Sequence, residues 1–114
     1  MSDDSRGCVF CGIVAGAIPS NKAYEDEEIL AFYDINPQAP VHILIIPKAH
    51  IEEIADGDSA LAGKCLAVAA TLARELKLAQ GFRIVANHGP AAGQTVPHLH
   101  FHLLAGRQLE LTMG

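Results

Sequence analysis

Apolar and polar residues alternate strictly in one run near the end of the chain, His98-Leu99-His100-Phe101-His102-Leu103-Leu104. A period of two is the repeat of a β-strand, so the run predicts a strand over residues 98–104 with its three histidines on one face. Similar patterns predict strands at residues 28–34, 42–47 and 82–87. Residues 24–28 are polar and turn-like, with strand potential on either side.

Residues 59–78 carry the apolar pattern of a helix. Apolar side chains recur there at steps of four, three, four and four, which keeps one face toward a core: Leu61, Cys65, Val68, Leu72 and Leu76. Asp58 or Ser59 can cap the start of this helix, and Gly81 lies just past its end. Residues 8–17 are apolar and predict one or two helical turns. Several hairpin-like strands with one dominant helix indicate the α+β class with an antiparallel sheet.

The composition narrows the classes of protein to which the chain can belong. Its 114 residues suffice for one domain, which we expect to span residues 1–114. A net charge of −5, with 8 Lys and Arg against 13 Asp and Glu, provides no basic face for nucleic acid. No apolar run approaches the ~20 residues that cross a bilayer, and the acidic start is unlike a secretory signal. Three cysteines, an odd number, argue against a disulfide framework, so we expect a cytoplasmic protein without a membrane partner.

The three histidines of the last predicted strand indicate a catalytic or ligand-binding site. Neighbours on one face of a strand stand roughly 7 Å apart, so these imidazoles can act on one ligand or divide between a ligand and a metal ion. The alternative is that these histidines lie by chance on a solvent-exposed face of the strand. It does not readily explain why three of the six histidines share one face. Just upstream, Gly93 lets backbone approach a ligand closely, and Gln94 and the Thr95 hydroxyl can bond phosphate oxygens. A phosphate cradle before a histidine strand is the arrangement that phosphoryl chemistry needs.

Two blocks of the sequence form a joint pattern. The first is residues 34–40, Asp-Ile-Asn-Pro-Gln-Ala-Pro, followed by His42 and by residues 46–50, Ile-Pro-Lys-Ala-His. The second runs from Asn87 through residues 93–96, Gly-Gln-Thr-Val, to Gly106-Arg107. With the histidine strand, these blocks resemble the histidine-triad family, in its branch of small nucleotide-binding phosphoramidases, over residues 8–107.

The resemblance implies a fold and an activity. The fold is a five-stranded antiparallel sheet with one long and one short helix, which dimerises into a continuous sheet. The activity is hydrolysis of the P–N bond of nucleoside 5′-phosphoramidates of the adenosine type. The expected partners are therefore a purine nucleoside monophosphate or its phosphoramidate, and a second copy of the chain in a homodimer.

The resemblance also implies roles for three histidines. His100 would attack phosphorus and form a transient nucleotidyl-histidine, which suits a neutral imidazole whose other nitrogen is held as N–H. His102 would bond the phosphate and stabilise the charge that builds on it. His42 matches a histidine near the leaving group, and a satisfied histidine within a sheet fits His42 equally well.

The nucleoside and its phosphate would be held by residues of both blocks. Asp34 is the natural acceptor for both ribose hydroxyls, and the alternative is a turn residue at the end of a strand. Asn87 and Thr95 would hold phosphate oxygens with Gln94 at the border of the pocket, although Asn87 also suits a turn. An apolar slot for the base, equally compatible with plain core, would come from Phe10, Ile13, Phe32, Ile35 and Leu44.

Cys8 and Cys11 form a Cys-x-x-Cys pair, which alone is compatible with a zinc half-site, a redox pair or chance. The thioredoxin-like βαβ context of a redox pair is absent. Zinc needs two more ligands, and some histidine-triad proteins close a Cys₂His₂ site with the histidines that match His50 and His98. A tetrahedral site of this kind is structural, so we favour a structural Zn²⁺ over no metal. Cys65, on the apolar helix face, is predicted to lie in the core.

Two other functions stay open. A dinucleoside polyphosphate hydrolase of the same family fits nearly the same motifs, whereas a nucleotidyltransferase usually carries Gln in place of His102. A non-catalytic nucleotide- or partner-binding protein is disfavoured by the complete set of candidate catalytic residues. Residues 109–114 lack the aromatic found at the C-terminus of close relatives, and Pro97 stands where an aromatic is frequent, so the leaving group stays open.

Overall fold

The computed structural model describes residues 8–52 and 59–110, so Asp58 and the end of the tail lie outside the described residues. The helices are α1 (Val9–Val14) and α2 (Ser59–Glu75), and the strands are β1 (Lys22–Glu25), β2 (Ile29–Tyr33), β3 (Val41–Pro47), β4 (Phe82–Val85) and β5 (Phe101–Ala105). Within the described residues the strands form one five-stranded antiparallel sheet in the order β1-β2-β3-β5-β4. The predicted α+β fold is confirmed. No helix in these two ranges is long and apolar enough to cross a membrane.

The sheet is covered on both faces. The cluster under α2 contains Ile29, Ile43, Ile45, Cys65, Leu72 and Leu103. The cluster under α1 contains Phe10, Ile13, Leu30, Phe32, Leu44 and Ile46. Because successive side chains of a strand point to opposite faces and both faces are covered here, β2 and β3 are apolar apart from His42 of β3. The outer strand β4 and the strand β5 alternate in burial instead. Cys65 is fully buried and lies in the core as predicted.

The strand limits differ from the predicted ones by a few residues. The ladder between β3 and β5 begins at Phe101, so residues 98–100 precede the strand instead of opening it. Their alternation nevertheless persists, because Leu99 lies in the α2 cluster while the rings of His98 and His100 contact Phe10 on the opposite face. The strand predicted over residues 82–87 ends at Val85.

The predicted turn at residues 24–28 begins later than expected. Tyr24 belongs to β1, and the turn starts at Asp26, whose Oδ1 accepts hydrogen bonds from the backbone N–H groups of Glu28 and Ile29 at 2.7 and 2.8 Å. A carboxylate that binds the backbone two and three residues ahead stabilises a tight turn. This turn connects β1 to β2.

The long helix ends three residues before the predicted limit. Lys77 adopts the left-handed conformation with φ +58°, and the N–H of Leu78 donates to the carbonyl of Ala73. The N–H of Lys77 donates to the carbonyl of Arg74, which completes a Schellman cap. A lysine thus occupies the position that usually favours glycine, and Gly81 lies beyond the cap.

Candidate functional site

A cavity of about 350 Å³ lies between α1 and the sheet, and we call it the α1 cavity. Its polar lining includes Asp34, Thr95, His100 and His102. All the residues predicted to form an apolar slot line it: Phe10, Ile13, Phe32, Ile35 and Leu44. Four of these are buried core side chains, and Ile35 is 89% exposed at the rim. The four buried side chains therefore belong to the hydrophobic core and also line the cavity, so the two alternatives considered for them are compatible.

A hydrogen bond to the backbone determines which tautomer the neutral imidazole of His100 adopts. Its Nδ1 lies 2.7 Å from the backbone carbonyl oxygen of His98, and a carbonyl only accepts, so Nδ1 carries the hydrogen. The lone pair is then on Nε2 of a side chain that lines the α1 cavity. Burial lowers the pKa of His100, which favours the neutral imidazole. The edge of the Phe10 ring packs against His100 with centroids 5.1 Å apart, which holds the imidazole plane.

The tautomers of His42 and His102 follow from one backbone N–H. The N–H of Gln38 donates to Nδ1 of His42 at 3.0 Å, so a neutral His42 carries its hydrogen on Nε2. That Nε2 lies 2.9 Å from Nδ1 of His102, to which it donates. His102 therefore carries its hydrogen on Nε2 and offers a donor. Burial, followed by the charges that His100 and His42 would carry, lowers the pKa of His102 to about 4.

Asp34 belongs to a turn and also lines the α1 cavity. Its Oδ1 accepts the N–H of Asn36 at 2.8 Å, which forms a turn directly after β2. Its Oδ2 lies 3.5 Å from Nε2 of His42, and the residue lines the α1 cavity. The turn thus holds the carboxylate at the rim of the cavity.

The predicted phosphate loop divides into residues that face the cavity and residues that support the loop. Thr95 lines the α1 cavity, whereas Asn87, Gly93 and Gln94 do not. The Asn87 amide donates to the carbonyl of Ala92 at 2.8 Å. The Gln94 amide accepts the N–H of Gly89 and donates to the carbonyl of Glu52, both at 2.8 Å. Gly93 has φ +90°, a left-handed conformation that favours glycine and places Thr95.

Cys8, Cys11, His50 and His98 come together at the edge of α1, with ligand atoms within 4.8 Å of one another. Nδ1 of His98 lies 3.4 Å from Sγ of Cys8 and 3.5 Å from Sγ of Cys11, and Nδ1 of His50 lies 3.1 Å from Sγ of Cys11. With Zn–S near 2.3 Å and Zn–N near 2.1 Å, sulfur and nitrogen ligands of a tetrahedral zinc stand about 3.6 Å apart. The donor set and its spacing fit Zn²⁺.

Groups around this cluster orient the Nδ1 lone pairs of its histidines toward the cysteine thiols. Nε2 of His98 lies 2.8 Å from the carbonyl oxygen of Pro47, so Nε2 carries the hydrogen and Nδ1 keeps its lone pair. Nε2 of His50 lies 3.7 Å from a carboxylate oxygen of Glu52, which favours the same tautomer. Both Nδ1 atoms are the ones that face the cysteines.

Asp34, His42 and His102 form a second group whose donor atoms lie within 4.8 Å. Its hydrogen bonding is opposite to that of the cysteine cluster. The Gln38 N–H occupies Nδ1 of His42, which leaves a hydrogen, not a lone pair, on the Nε2 that faces the group. The two groups therefore differ in chemistry: the cysteine cluster presents lone pairs that fit a metal ion, whereas His102 of the second group offers a hydrogen-bond donor.

Sequence reasoning missed several residues that border these sites. Val9, Ile18 and Val96 add to the apolar lining of the α1 cavity. A second cavity of about 330 Å³, which we call the arginine cavity, is lined by Gln38, His42, Arg83, Asn87, His102 and Arg107, among others. Periodicity predicted the strand that carries Arg83, but only strand pairing shows that Arg83 lies in one row with His42.

Comparisons with known proteins agree with this geometry. The HIT domain matches residues 15–109. The 14 kDa zinc-binding protein of Zea mays is 45% identical over 97% of this chain and 91% of its own length. Adenylylsulfatase HINT1 of Arabidopsis thaliana is 41% identical over 93% of this chain and 76% of its own length. The crystal structure of a HIT family hydrolase from Legionella pneumophila superposes with a TM-score of 0.89 at 47% identity, covering 94% of this chain and 99% of that one.

Proposed function

Because the chain belongs to the HIT domain family, we propose that it is a nucleotide hydrolase that cleaves the P–N bond of adenosine-type nucleoside 5′-phosphoramidates. The observation that carries the proposal is the hydrogen bond from Nδ1 of His100 to the His98 carbonyl. It leaves Nε2 of a neutral, buried imidazole as a lone-pair nucleophile beside a cavity of nucleoside size.

The reaction follows from the tautomers. Nε2 of His100 attacks phosphorus, a P–N bond to the imidazole forms, and the P–N bond to the amine breaks with its electron pair leaving on the amine nitrogen. That nitrogen takes up protons from solvent and departs as an ammonium ion. Nε2–H of His102 donates to a phosphate oxygen and stabilises the charge that builds there. Water then attacks phosphorus, loses a proton to solvent, and releases the nucleoside monophosphate and His100.

The rest of the α1 cavity accommodates the nucleotide in this proposal. The base lies in the apolar slot, the Asp34 carboxylate accepts the ribose hydroxyls, and the Thr95 hydroxyl bonds a phosphate oxygen. His42 is a positioning residue that sets the tautomer of His102. The side chains of Asn87 and Gln94 keep the loop that carries Thr95 in shape.

We further propose that Cys8, Cys11, His50 and His98 hold a structural Zn²⁺. A zinc ion with four protein ligands and no open position contributes folding free energy and takes no part in the reaction. These ligands connect α1 to β3 and to the segment before β5. Phe10, between the two cysteines, is thereby fixed against His100.

The same nucleophile supports a second candidate substrate. The Arabidopsis relative is named an adenylylsulfatase, and its chain aligns over most of this one. In an adenylyl sulfate, sulfate replaces the amine as the group that leaves phosphorus. Dinucleoside polyphosphates are the other alternative, in which a nucleoside polyphosphate leaves.

Turnover of a fluorogenic adenosine 5′-phosphoramidate tests the proposal. The wild type should release the amine, and His100→Ala should lose at least about a thousandfold in kcat while still binding AMP by calorimetry. Adenylyl sulfate and a diadenosine polyphosphate in the same assay rank the alternatives by kcat/KM. Tight binding of AMP by a wild type that turns over none of these substrates would identify a non-catalytic nucleotide-binding protein.

We also propose that the chain forms a cytoplasmic homodimer with a continuous sheet. β4 is an edge strand, and its Phe82 and Ile84 are 44% and 38% exposed, an apolar edge suited to pairing with a second copy. Light scattering should give a dimer for the wild type and a monomer for Ile84→Glu. Lys22→Glu, on the opposite edge strand β1, should remain dimeric. A monomeric wild type at micromolar concentration would contradict the proposal.

A further inference from the structure

The arginine cavity lies beside the α1 cavity, and the two share His102. Strand pairing explains its composition. Leu104 of β5 stands opposite both His42 of β3 and Arg83 of β4, so the three side chains project from the same face in one row across the sheet. With strands about 4.8 Å apart, the Cα atoms of Arg83 and His42 are roughly 10 Å from each other, within reach of an arginine side chain.

The described residues that line the arginine cavity carry a net positive charge. Nε and Nη2 of Arg107 donate to the carbonyl of Gln38 at 3.2 and 3.0 Å, and its Nη1 donates to the carbonyl of Gln108 at 3.0 Å. Arg83 donates through Nη2 to the carbonyl of Glu110. Among the described residues neither guanidinium forms an ion pair with a carboxylate, and Glu110 is the acidic side chain in the lining. Two cations against one anion leave an excess positive charge.

The position of His102 relates this charge to the reaction. The phosphorus atom must lie close to Nε2 of both His100 and His102 in the proposed function. The nucleoside takes the α1 cavity, so the substituent on the far side of His102 enters the arginine cavity. That substituent is the leaving group.

We propose, resting on the proposed function, that the arginine cavity selects a leaving amine that carries a carboxylate, as in an amino acid joined to phosphorus through its nitrogen. A guanidinium recognises a carboxylate with two parallel hydrogen bonds, and Arg83 has donors that are not committed to backbone carbonyls. Arg107 has a different task. It holds the carbonyl of Gln38, whose N–H orients His42, so Arg107 positions the histidine chain as well as adding charge.

A matched pair of substrates tests this selection, namely the adenosine 5′-phosphoramidates of glycine and of glycinamide. The two amines differ in basicity, so the diagnostic quantity is how a variant changes the ratio of their kcat/KM values. Arg83→Gln should lower the glycine-to-glycinamide ratio about fivefold, the size of one exposed ion pair. Glu110→Gln keeps its backbone carbonyl and should raise the ratio. Arg74→Gln, on the exposed side of α2, should leave it unchanged.

Calorimetric binding of the same two compounds to His100→Ala separates this proposal from the proposed function. A preference for the glycine compound that disappears in His100→Ala/Arg83→Gln supports the arginine cavity even if the wild type shows no turnover. Equal ratios in the wild type, Arg83→Gln and Glu110→Gln, with normal turnover, would overturn the selection and leave the phosphoramidase activity standing. Absence of both the turnover and the binding preference would overturn both.

Discussion

The backbone carbonyl of His98 accepts a hydrogen bond from Nδ1 of His100 at 2.7 Å, while the side chain of His98 belongs to the cysteine and histidine cluster. One residue therefore contributes to both sites, through its side chain in one and its main chain in the other. The tautomer of the proposed nucleophile depends on where the segment before β5 is held. The cluster holds that segment.

Removal of the metal should therefore affect both stability and catalysis. Treatment with a strong chelator is expected to lower the melting temperature and to reduce turnover, because His98 and α1 lose their common anchor. Metal analysis should give one zinc ion per chain before treatment. Cys65→Ala is the control, because it removes a core thiol and should lower stability without changing the zinc content. Chelation that removes metal but changes neither melting temperature nor turnover would contradict this role.

The three thiols should differ in reactivity toward an alkylating reagent. Burial in the core raises the pKa of Cys65 to about 12, so this thiol stays protonated and unreactive in the folded protein. Cys8 and Cys11 should be protected by the metal. Mass spectrometry is expected to show no alkylation of the zinc-loaded protein, alkylation of Cys8 and Cys11 after chelation, and alkylation of all three in denaturant. Rapid modification of Cys65 in the native protein would be inconsistent with the packing of α2.

Replacement of His42 tests the chain of tautomers. His42→Leu removes the donor to Nδ1 of His102, so His102 is free to place its hydrogen on either nitrogen. For a phosphoramidate with a small, uncharged amine we expect kcat to fall roughly 10- to 100-fold with little change in KM, since His42 lines the arginine cavity on the leaving-group side and not the α1 cavity that holds the nucleoside. His42→Asn, which retains a donor, should recover part of the loss. A change confined to KM would show that His42 binds the substrate directly.

The stability of the protein should depend on pH through His102. Its pKa is about 4 in the folded protein against an ordinary 6.5, so between these values the unfolded chain binds a proton that the folded one does not. Its contribution is complete above pH 6.5 and is lost as the pH falls toward 4. Urea unfolding of wild type and His102→Gln at about pH 7.5 and about pH 5 should show a smaller loss in the variant. Equal losses would mean that His102 is protonated in the folded state.

The fold class, part of the cavity lining and the cysteine cluster could be predicted from the sequence, because each depends on a local pattern or on a long motif. The cavity-lining residues Phe10, Phe32 and Leu44 were identified in advance, and so was the cluster of cysteines and histidines. The cluster was predicted from the family resemblance and not from a local pattern, because Cys8 and His98 lie 90 positions apart in the sequence. The fold class followed from periodicity and is confirmed.

What the sequence did not predict depends on pairing and on loop geometry. Asn87 was expected to hold a phosphate oxygen, with Gln94 at the border of the pocket. The hydrogen bonds of both amides to backbone groups could not be predicted, since the direction of an amide depends on the local course of the chain. Arg83 gave no signal, because its place in one row with His42 arises only when β3, β5 and β4 align. The end of α2 was not predicted either, because Lys77 adopts a left-handed conformation at a position where glycine is usually expected.

The separation of Cys8 from His98 by 90 positions also has a consequence for biosynthesis. A helix of six residues such as α1 is not stable alone. Its packing partners on β2 and β3 are translated soon after it, but His98, which belongs to the same cluster as Cys8, follows 90 positions later. The sheet and α2 can pack before α1 finds its place. If the proposed zinc site holds α1 in place, the wall that α1 contributes to the α1 cavity is completed only when the ion binds, and the supply of zinc to the nascent protein would set how many chains mature into binding-competent molecules.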